Sequence, residues 1–334
     1  MRNAIICVCV LVSSALIVAG GQLAGGAAQN VGVNSSPPNI PRPLPFAPGE
    51  ILTYDIAFSK FILSGTVGQL KLSVGTVPSS GAGQPDDVHP GNQASPAGSA
   101  ESKNPGARTV LDASQSVTNL ESRPSSRSAG HDDPIKFEAE TVSKGFVTWL
   151  FDLKVDDRYQ SIVNWQDLGL IKSTKFVEEG NKHRQQETVV DRSTGSVTYS
   201  DKDLNSETAA ASVKKASSPP WVQDLLSAIY FLRTQDLKQG STLTVPVTDK
   251  GEIHNIDVIV GKREQVDVEA GKFNALPVEV MVFDGKYIKR SGQLLIWFTD
   301  DLRRLPVRAR IKSSGATATI KLTHIEAGTA AARP

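Results

Sequence analysis

The carboxylate pair Asp300-Asp301 is the arrangement in this sequence that most resembles a catalytic one. Two carboxyl groups facing one substrate can serve as general acid and general base. Adjacent residues of a strand point to opposite faces, however, so this pair would not share a substrate. Because Arg303 and Arg304 follow closely, we predict that the pair opens a turn and has a structural role.

The five histidines show no metal-binding pattern. His183, His254 and His324 lie far apart without paired ligand spacing, and His89 and His131 fall in a low-complexity stretch. The sequence also lacks a Gly-x-Ser-x-Gly elbow, a phosphate loop and a dinucleotide fingerprint. We therefore predict no metal site and no cofactor, and no residue is nominated as catalytic.

Two further groups of side chains are candidates for roles in a site. Asp224 and Arg233 lie at the two ends of an apolar segment, and Asp224 is expected either to cap a helix or to form a salt bridge with Arg303 or Arg304. The aromatic candidates for lining an interior are Tyr54, Trp221 and Trp297. The alternative for these three is plain core packing, the usual role of buried aromatic residues.

The elements that position these residues read mainly as strands. Apolar and polar residues alternate within residues 52–58, 70–74, 278–282, 294–298 and 317–322. Turn signals occur at 193–195, 249–251 and 269–271. This pattern predicts a mainly β fold, an antiparallel meander that forms a strongly curved sheet, either an open barrel or a sandwich.

One segment has helical spacing instead. Pro219 and Pro220 precede an apolar face made by Trp221, Leu225, Ala228, Ile229 and Leu232. The spacing predicts one amphipathic helix over about 221–233, packed on the curved sheet.

The amino terminus has the layout of a secretory signal peptide. Arg2 precedes an apolar run from Ala4 to Ala19, which ends in small residues near Ala28. Both cysteines lie inside this run, so a mature chain would have none and would lack the lipid-attachment pattern of a lipoprotein. We predict an exported, periplasmic and soluble product without a transmembrane span. A retained anchor is the alternative.

Composition divides the rest of the chain. Residues 29–48 form a proline-rich leader, and residues 78–134 are rich in Ser, Gly, Pro and Ala without Phe, Trp or Tyr. We predict a disordered insert at 78–134 within a single β-rich domain at 49–327, and a carboxyl-terminal tail at 328–334. The net charge of +1 and the lack of a basic stripe give no support to nucleic-acid binding.

Several segments together resemble a bacterial family, the domain-of-unknown-function family 3108. They are residues 48–55 (PGEILTYD), 64–68 (SGTVG), 155–161 (VDDRYQS), 223–233 (QDLLSAIYFLR) and 296–307 (IWFTDDLRRLPV). The insert at 78–134 departs from the usual compactness of that family. The resemblance implies an exported β-rich protein of a double-membraned bacterium, without an established activity.

Three functions are compatible with this sequence. The first is a non-catalytic binding or carrier module whose ligand is apolar or comes from the cell envelope: a lipid, a lipoprotein or a glycan. The second is a structural or interaction protein of the envelope, with a fully packed interior. The third is a hydrolase of envelope polymers, which would need paired carboxylates or a triad in one cleft. Whether the interior is a cavity or a packed core decides between the first two.

Overall fold

The computed structural model describes residues 39–60, 63–77, 133–144, 155–206, 210–283, 288 and 291–329. The signal peptide predicted at 1–28 lies outside the described residues. So does the insert predicted at 78–134, apart from its last two positions.

The described residues form one antiparallel sheet of fifteen strands and one α-helix. The strands are β1 Ile51–Lys60, β2 Leu63–Thr76, β3 Ile135–Ser143, β4 Asp156–Val163, β5 Leu170–Glu179, β6 Lys182–Asp191, β7 Ser196–Asp203, β8 Ser212–Ser217, β9 Thr242–Asp249, β10 Glu252–Val260, β11 Glu264–Val268, β12 Gly271–Val280, β13 Gly292–Thr299, β14 Pro306–Ser313 and β15 Ala316–Glu326. The helix, α1, spans Leu225–Arg233.

The sheet consists of two meanders, which are joined in the middle because the first strand pairs with the last. From one edge to the other the order of strands is β8-β7-β6-β5-β4-β3-β2-β1-β15-β14-β13-β12-β10-β9, and β11 pairs with β12. The predicted mainly β, antiparallel meander is confirmed, and the sheet stays open between β8 and β9. All these strands belong to one continuous sheet, which favours the open barrel over the sandwich.

Local sequence signals account for the turns and for one irregularity. The predicted turn at 249–251 joins β9 to β10, with Lys250 and Gly251 at φ values of 48° and 77°. Within β2, Gly68 pairs with Ile56 while Thr66 pairs with Ala57, so the strand contains a bulge at this point.

The helix is shorter than the sequence predicts. It begins at Leu225 rather than near Trp221, because Asp224 has an extended backbone and is the N-cap. Two residues just before Asp224, Val222 and Gln223, bond to the sheet instead. Gln223 N donates to Pro246 O at 2.9 Å, and Leu170 N donates to Val222 O at 2.9 Å. The segment 221–223 therefore lies between β9 and the start of β5 and bridges part of the opening in the sheet.

Part of the predicted leader at 29–48 packs on the domain. Within its described residues, 39–48, Ile40 and Phe46 are buried in the core. The Phe46 ring meets Phe137 of β3 and Tyr230 of α1 edge-on, with centroids 5.4 and 5.2 Å away. Burial of these rings fixes the chain just before β1.

Candidate functional site

Helix α1 is held at its amino-terminal end by a buried polar network around Asp224. One carboxylate oxygen accepts from Ser227 N at 2.7 Å, and the other accepts from Ser161 Oγ at 2.6 Å. Ser227 Oγ in turn accepts from Asp224 N at 2.9 Å, which completes a capping box. Burial raises the pKa of the Asp224 carboxyl, and hydrogen bonds from Ser161, Ser227 and Tyr159 oppose that rise.

The carboxyl-terminal end of α1 is held by Arg233, whose side chain is fully buried. Its guanidinium forms a bidentate pair with Glu50 at 2.5 and 2.9 Å and donates to Pro45 O at 3.0 Å. It also donates to Arg303 O, at 3.2 Å, in the turn between β13 and β14. The helix is therefore fixed at both ends, by groups that come from distant parts of the chain.

Between these two anchors, α1 and the concave face of the sheet enclose a half-open cavity of about 180 Å³, here called the apolar cavity. The helix contributes Leu225, Leu226, Ala228, Ile229 and Leu232. The sheet contributes Leu, Ile, Val and Ala side chains from β2, β3, β9, β10 and β12 to β15. Among the described lining residues, Tyr159 of β4 is the one with a polar side chain.

The predicted aromatic residues lie outside this lining. Tyr54 is buried near Tyr230 at the carboxyl-terminal end of α1, and burial raises its pKa well above the usual value. Trp221 is buried against Phe231, with ring centroids 5.9 Å apart. Neither Tyr54 nor Trp221 therefore lines the apolar cavity.

Trp297 lies on the opposite side of the sheet from the cavity. Its neighbour Ile296 faces the cavity, whereas the indole N–H of Trp297 donates to Glu264 of β11. The guanidinium groups of Arg308 and Arg310 lie 5.4 and 5.1 Å from its ring centroid. The two guanidinium groups stabilise Trp297 where it is, on the side of the sheet away from the apolar cavity.

The charged residues near position 300 form a tight turn. Asp301 accepts from Arg303 N at 3.0 Å and from the Arg303 guanidinium at 2.8 Å, whereas Asp300 pairs with Arg263. The carboxylates thus have different partners, as expected for a pair that does not share a substrate. Arg304 lies 4.0 Å from Asp236.

This arrangement decides between the two roles expected of Asp224. The carboxylate caps α1, and the alternative of a salt bridge to Arg303 or Arg304 is wrong, since Arg303 pairs with Asp301 instead. The ion-pair partner that sequence reasoning missed is Glu50, which pairs with Arg233. Nothing in the local sequence around Glu50 indicates a partner so far along the chain.

Other kinds of site receive no support in the part of the chain that the structure describes. No three His, Cys, Asp or Glu side chains come close enough there to hold a metal ion. No helix among the same residues is both long enough and apolar enough to cross a bilayer.

Comparison with known proteins gives a match to one family model and to one solved structure. The model of a family described as a protein of unknown function, DUF3108, matches residues 110–323, which is more than half of the chain. The crystal structure of a β-barrel-like protein of domain of unknown function DUF1849 from Brucella abortus is 9% identical, with 85% of this chain and 99% of that chain covered and a TM-score of 0.48. Among curated proteins there is no match.

Proposed function

The chain belongs to the DUF3108 family of proteins of unknown function, and we propose that it is an exported protein of the cell envelope that binds an apolar ligand in the apolar cavity under α1. The observation that carries this proposal is the cavity itself. Protein interiors are normally packed to the density of organic crystals, with few voids larger than a water molecule. A volume of about 180 Å³ lined almost wholly by aliphatic side chains is suited to hydrocarbon.

The size of the cavity favours a hydrocarbon chain over a larger cargo. An engineered apolar cavity of about 150 Å³ in another protein holds one benzene molecule. The volume here is slightly greater and half-open, so a single acyl or alkyl chain can enter it and extend toward solvent. A folded lipoprotein would need a contact surface several times larger.

The position of the protein in the envelope rests on its amino terminus. Arg2 and the apolar run from Ala4 to Ala19 have the order of charge, apolar core and small residues that directs secretion. An exported protein of this kind would meet lipids shed by the membranes around it.

The two alternative functions have less support. A purely structural envelope protein predicts a filled interior, which conflicts with the cavity under α1. A hydrolase predicts two carboxylates in one cleft, but Asp300 and Asp301 bind different partners.

The test is calorimetric titration of the purified protein with decan-1-ol, a neutral probe with one alkyl chain. Wild-type protein is expected to bind it. Ala228→Leu and Ala309→Leu each add about three carbons inside the cavity, and at about 0.8 kcal/mol per displaced methylene they weaken binding on the order of 10- to 100-fold.

Ala211→Leu is the matched control, because Ala211 is exposed on the approach to β8 and its substitution leaves the cavity unchanged. Thermal unfolding of each variant shows that the fold is retained. Absence of decan-1-ol binding to the wild type, or equal binding by all three variants, would overturn the proposal.

A further inference from the structure

A second, smaller recess adjoins the apolar cavity and differs from it in chemistry. It has a volume of about 30 Å³ and is formed by β4 to β7, the start of α1, the end of β9 and the turn that follows β9; it is here called the polar recess. Tyr159 and Leu225 line both volumes, so the two meet at these side chains. A cavity needs about 10–15 Å³ to hold one water molecule, so the polar recess holds a compact polar group.

Two buried polar side chains face the polar recess, those of Thr248 and Lys175. Thr248 is 3% exposed, and its Oγ1 has no hydrogen bond. Lys175 is 8% exposed, and the carboxylates of Asp157, Asp249 and Glu179 act favourably on its ammonium. It lies 6.0 Å from the centroid of the Tyr159 ring. A buried hydroxyl without a partner is costly, which makes Thr248, together with the neighbouring ammonium of Lys175, a candidate for contact with a ligand.

The placement of Lys175 contradicts the hydrophobic pattern of its own strand. The next residue of β5, Phe176, is 41% exposed, although burial of the phenylalanine and exposure of the lysine would stabilise the fold more. Departures of this kind from local consistency concentrate at functional sites. The inward lysine is therefore a second sign that the polar recess binds something.

The charges around Lys175 are mixed. The carboxylates of Asp157, Glu179 and Asp249 act on it favourably, and the ammonium of Lys250 opposes them. Asp249 and Lys250 both line the polar recess, whereas Asp157 and Glu179 do not. Lys175 and Lys250 outnumber Asp249 in the lining. Asp157 and Glu179 act on Lys175 from outside the lining, however, so net charge alone does not select the ligand. A carboxylate is favoured instead by the two donors that face the recess, the Lys175 ammonium and the Thr248 hydroxyl.

We infer that the ligand is a single-chain amphiphile with a carboxylate head, bound with its hydrocarbon chain in the apolar cavity and its head in the polar recess, where Lys175 and Thr248 donate to the carboxylate. This inference rests on the proposed function and names the class of ligand. The small volume of the polar recess excludes a glycan or a two-chain phospholipid head from that position.

The experiment compares decanoate with decan-1-ol, which share a chain and differ in the head, by calorimetry at pH about 7. Wild-type protein is expected to bind decanoate more tightly than the alcohol. Lys175→Met keeps the length of the side chain and removes the charge, and Thr248→Val keeps the shape and removes the hydroxyl. A hydrogen bond to a charged group contributes about 1.5–3 kcal/mol, so Lys175→Met weakens decanoate binding roughly 10- to 100-fold and leaves decan-1-ol binding unchanged.

Lys215→Met is the control, since Lys215 is exposed on β8 and outside both volumes. Decan-1-ol binding by each variant shows that the fold and the apolar cavity are intact. The inference about the carboxylate head is overturned if wild-type protein binds the two probes equally and neither Lys175→Met nor Thr248→Val changes their binding. The proposal of an apolar ligand would still stand. Failure of both probes to bind overturns the proposed function as well.

Discussion

Arg233 at the end of helix α1 and Glu50 immediately before β1, 183 residues apart in sequence, form a bidentate ion pair with N–O distances of 2.5 and 2.9 Å. The pair fixes the end of the helix to the residue that precedes the first strand. Around it lie the rings of Phe46 and Tyr230, whose centroids are 5.2 and 5.4 Å from the guanidinium carbon.

Removal of one partner from this pair is expected to destabilise the protein strongly. Glu50→Ala leaves a buried cation without its carboxylate, and we expect the free energy of unfolding to fall by about 3–5 kcal/mol in denaturant titrations. The double variant Glu50→Ala with Arg233→Met is expected to lose less than the sum of the single losses, because no lone charge remains buried. Asp236→Asn, in an exposed pair with Lys238, is the control and leaves stability nearly unchanged. If the loss of stability in the double variant equals the sum of the two single losses, the coupling between Glu50 and Arg233 is contradicted.

Substitution of the helix cap is expected to depend on whether an acceptor is retained. Asp224→Ala leaves Ser227 N and Ser161 Oγ without their acceptor, and should cost about 2 kcal/mol or more. Asp224→Asn retains a carbonyl oxygen and should cost less, as measured by chemical denaturation. Equal losses for the two variants would show that the hydrogen bonds of the cap contribute little.

The same residue makes stability depend on pH. Because burial raises the pKa of Asp224 above its ordinary 3.8, the folded state holds its proton in a pH range where the unfolded state has lost it. The contribution of this group to the free energy of unfolding is therefore full below about pH 4 and decreases as the pH rises through the raised pKa. The stability of the wild type relative to Asp224→Asn should decline over that interval. A constant difference would contradict this assignment.

A close backbone contact where the bridging segment 221–223 begins gives a steric test of how tightly that segment is held. A Cβ added at Gly169 would lie 2.4 Å from Pro220 O and 2.9 Å from Trp221 Cα, both backbone atoms. We expect Gly169→Ala to lower the free energy of unfolding by about 1–3 kcal/mol. Amide exchange at Thr248, whose N–H donates to Gln223 O at 2.8 Å, should become faster.

Gly75→Ala is the matched control for that substitution. The added Cβ at Gly75 would meet only the end of the Lys136 side chain, at 3.2 Å, and that side chain can move. Stability equal to the wild type or slightly higher is expected for it. An equally small effect of Gly169→Ala would show that the bridging segment is loosely held.

Binding of a carboxylate should weaken in alkaline solution if Lys175 contacts it. Burial lowers the pKa of Lys175 to about 8 in the free protein, so its charge is present below that pH and is lost above it. Decanoate affinity should therefore fall as the pH rises above about 8, while decan-1-ol affinity stays constant. In Lys175→Met the decanoate affinity should not depend on pH in this range. A pH dependence that persists in this variant would place the responsible group elsewhere.

Much of the fold could be predicted from the sequence, because the strands alternate with a period of two and the turns contain glycine at positive φ. The cap at Asp224 also had a local signal. The start of the helix did not, because the backbones of Val222 and Gln223 form hydrogen bonds with β5 and β9 instead of continuing the helix. Propensity cannot anticipate such tertiary competition.

The candidate site was much less predictable. Lys175 and Phe176 occupy the faces opposite to those that hydrophobic patterning assigns them. Glu50 has a partner 183 residues away, and the cavity is formed by ten elements whose individual sequences indicate only burial. Volume between packed elements depends on their separation in space, which one sequence does not contain.

The most direct test of ligand binding is native mass spectrometry, with lipid extraction, on the protein purified from its own exported compartment. The account predicts a near-stoichiometric complex with one single-chain amphiphile, and an empty protein for Ala228→Leu purified in the same way. A wild-type protein that is empty, under conditions in which added decan-1-ol remains bound to a known carrier, would contradict it.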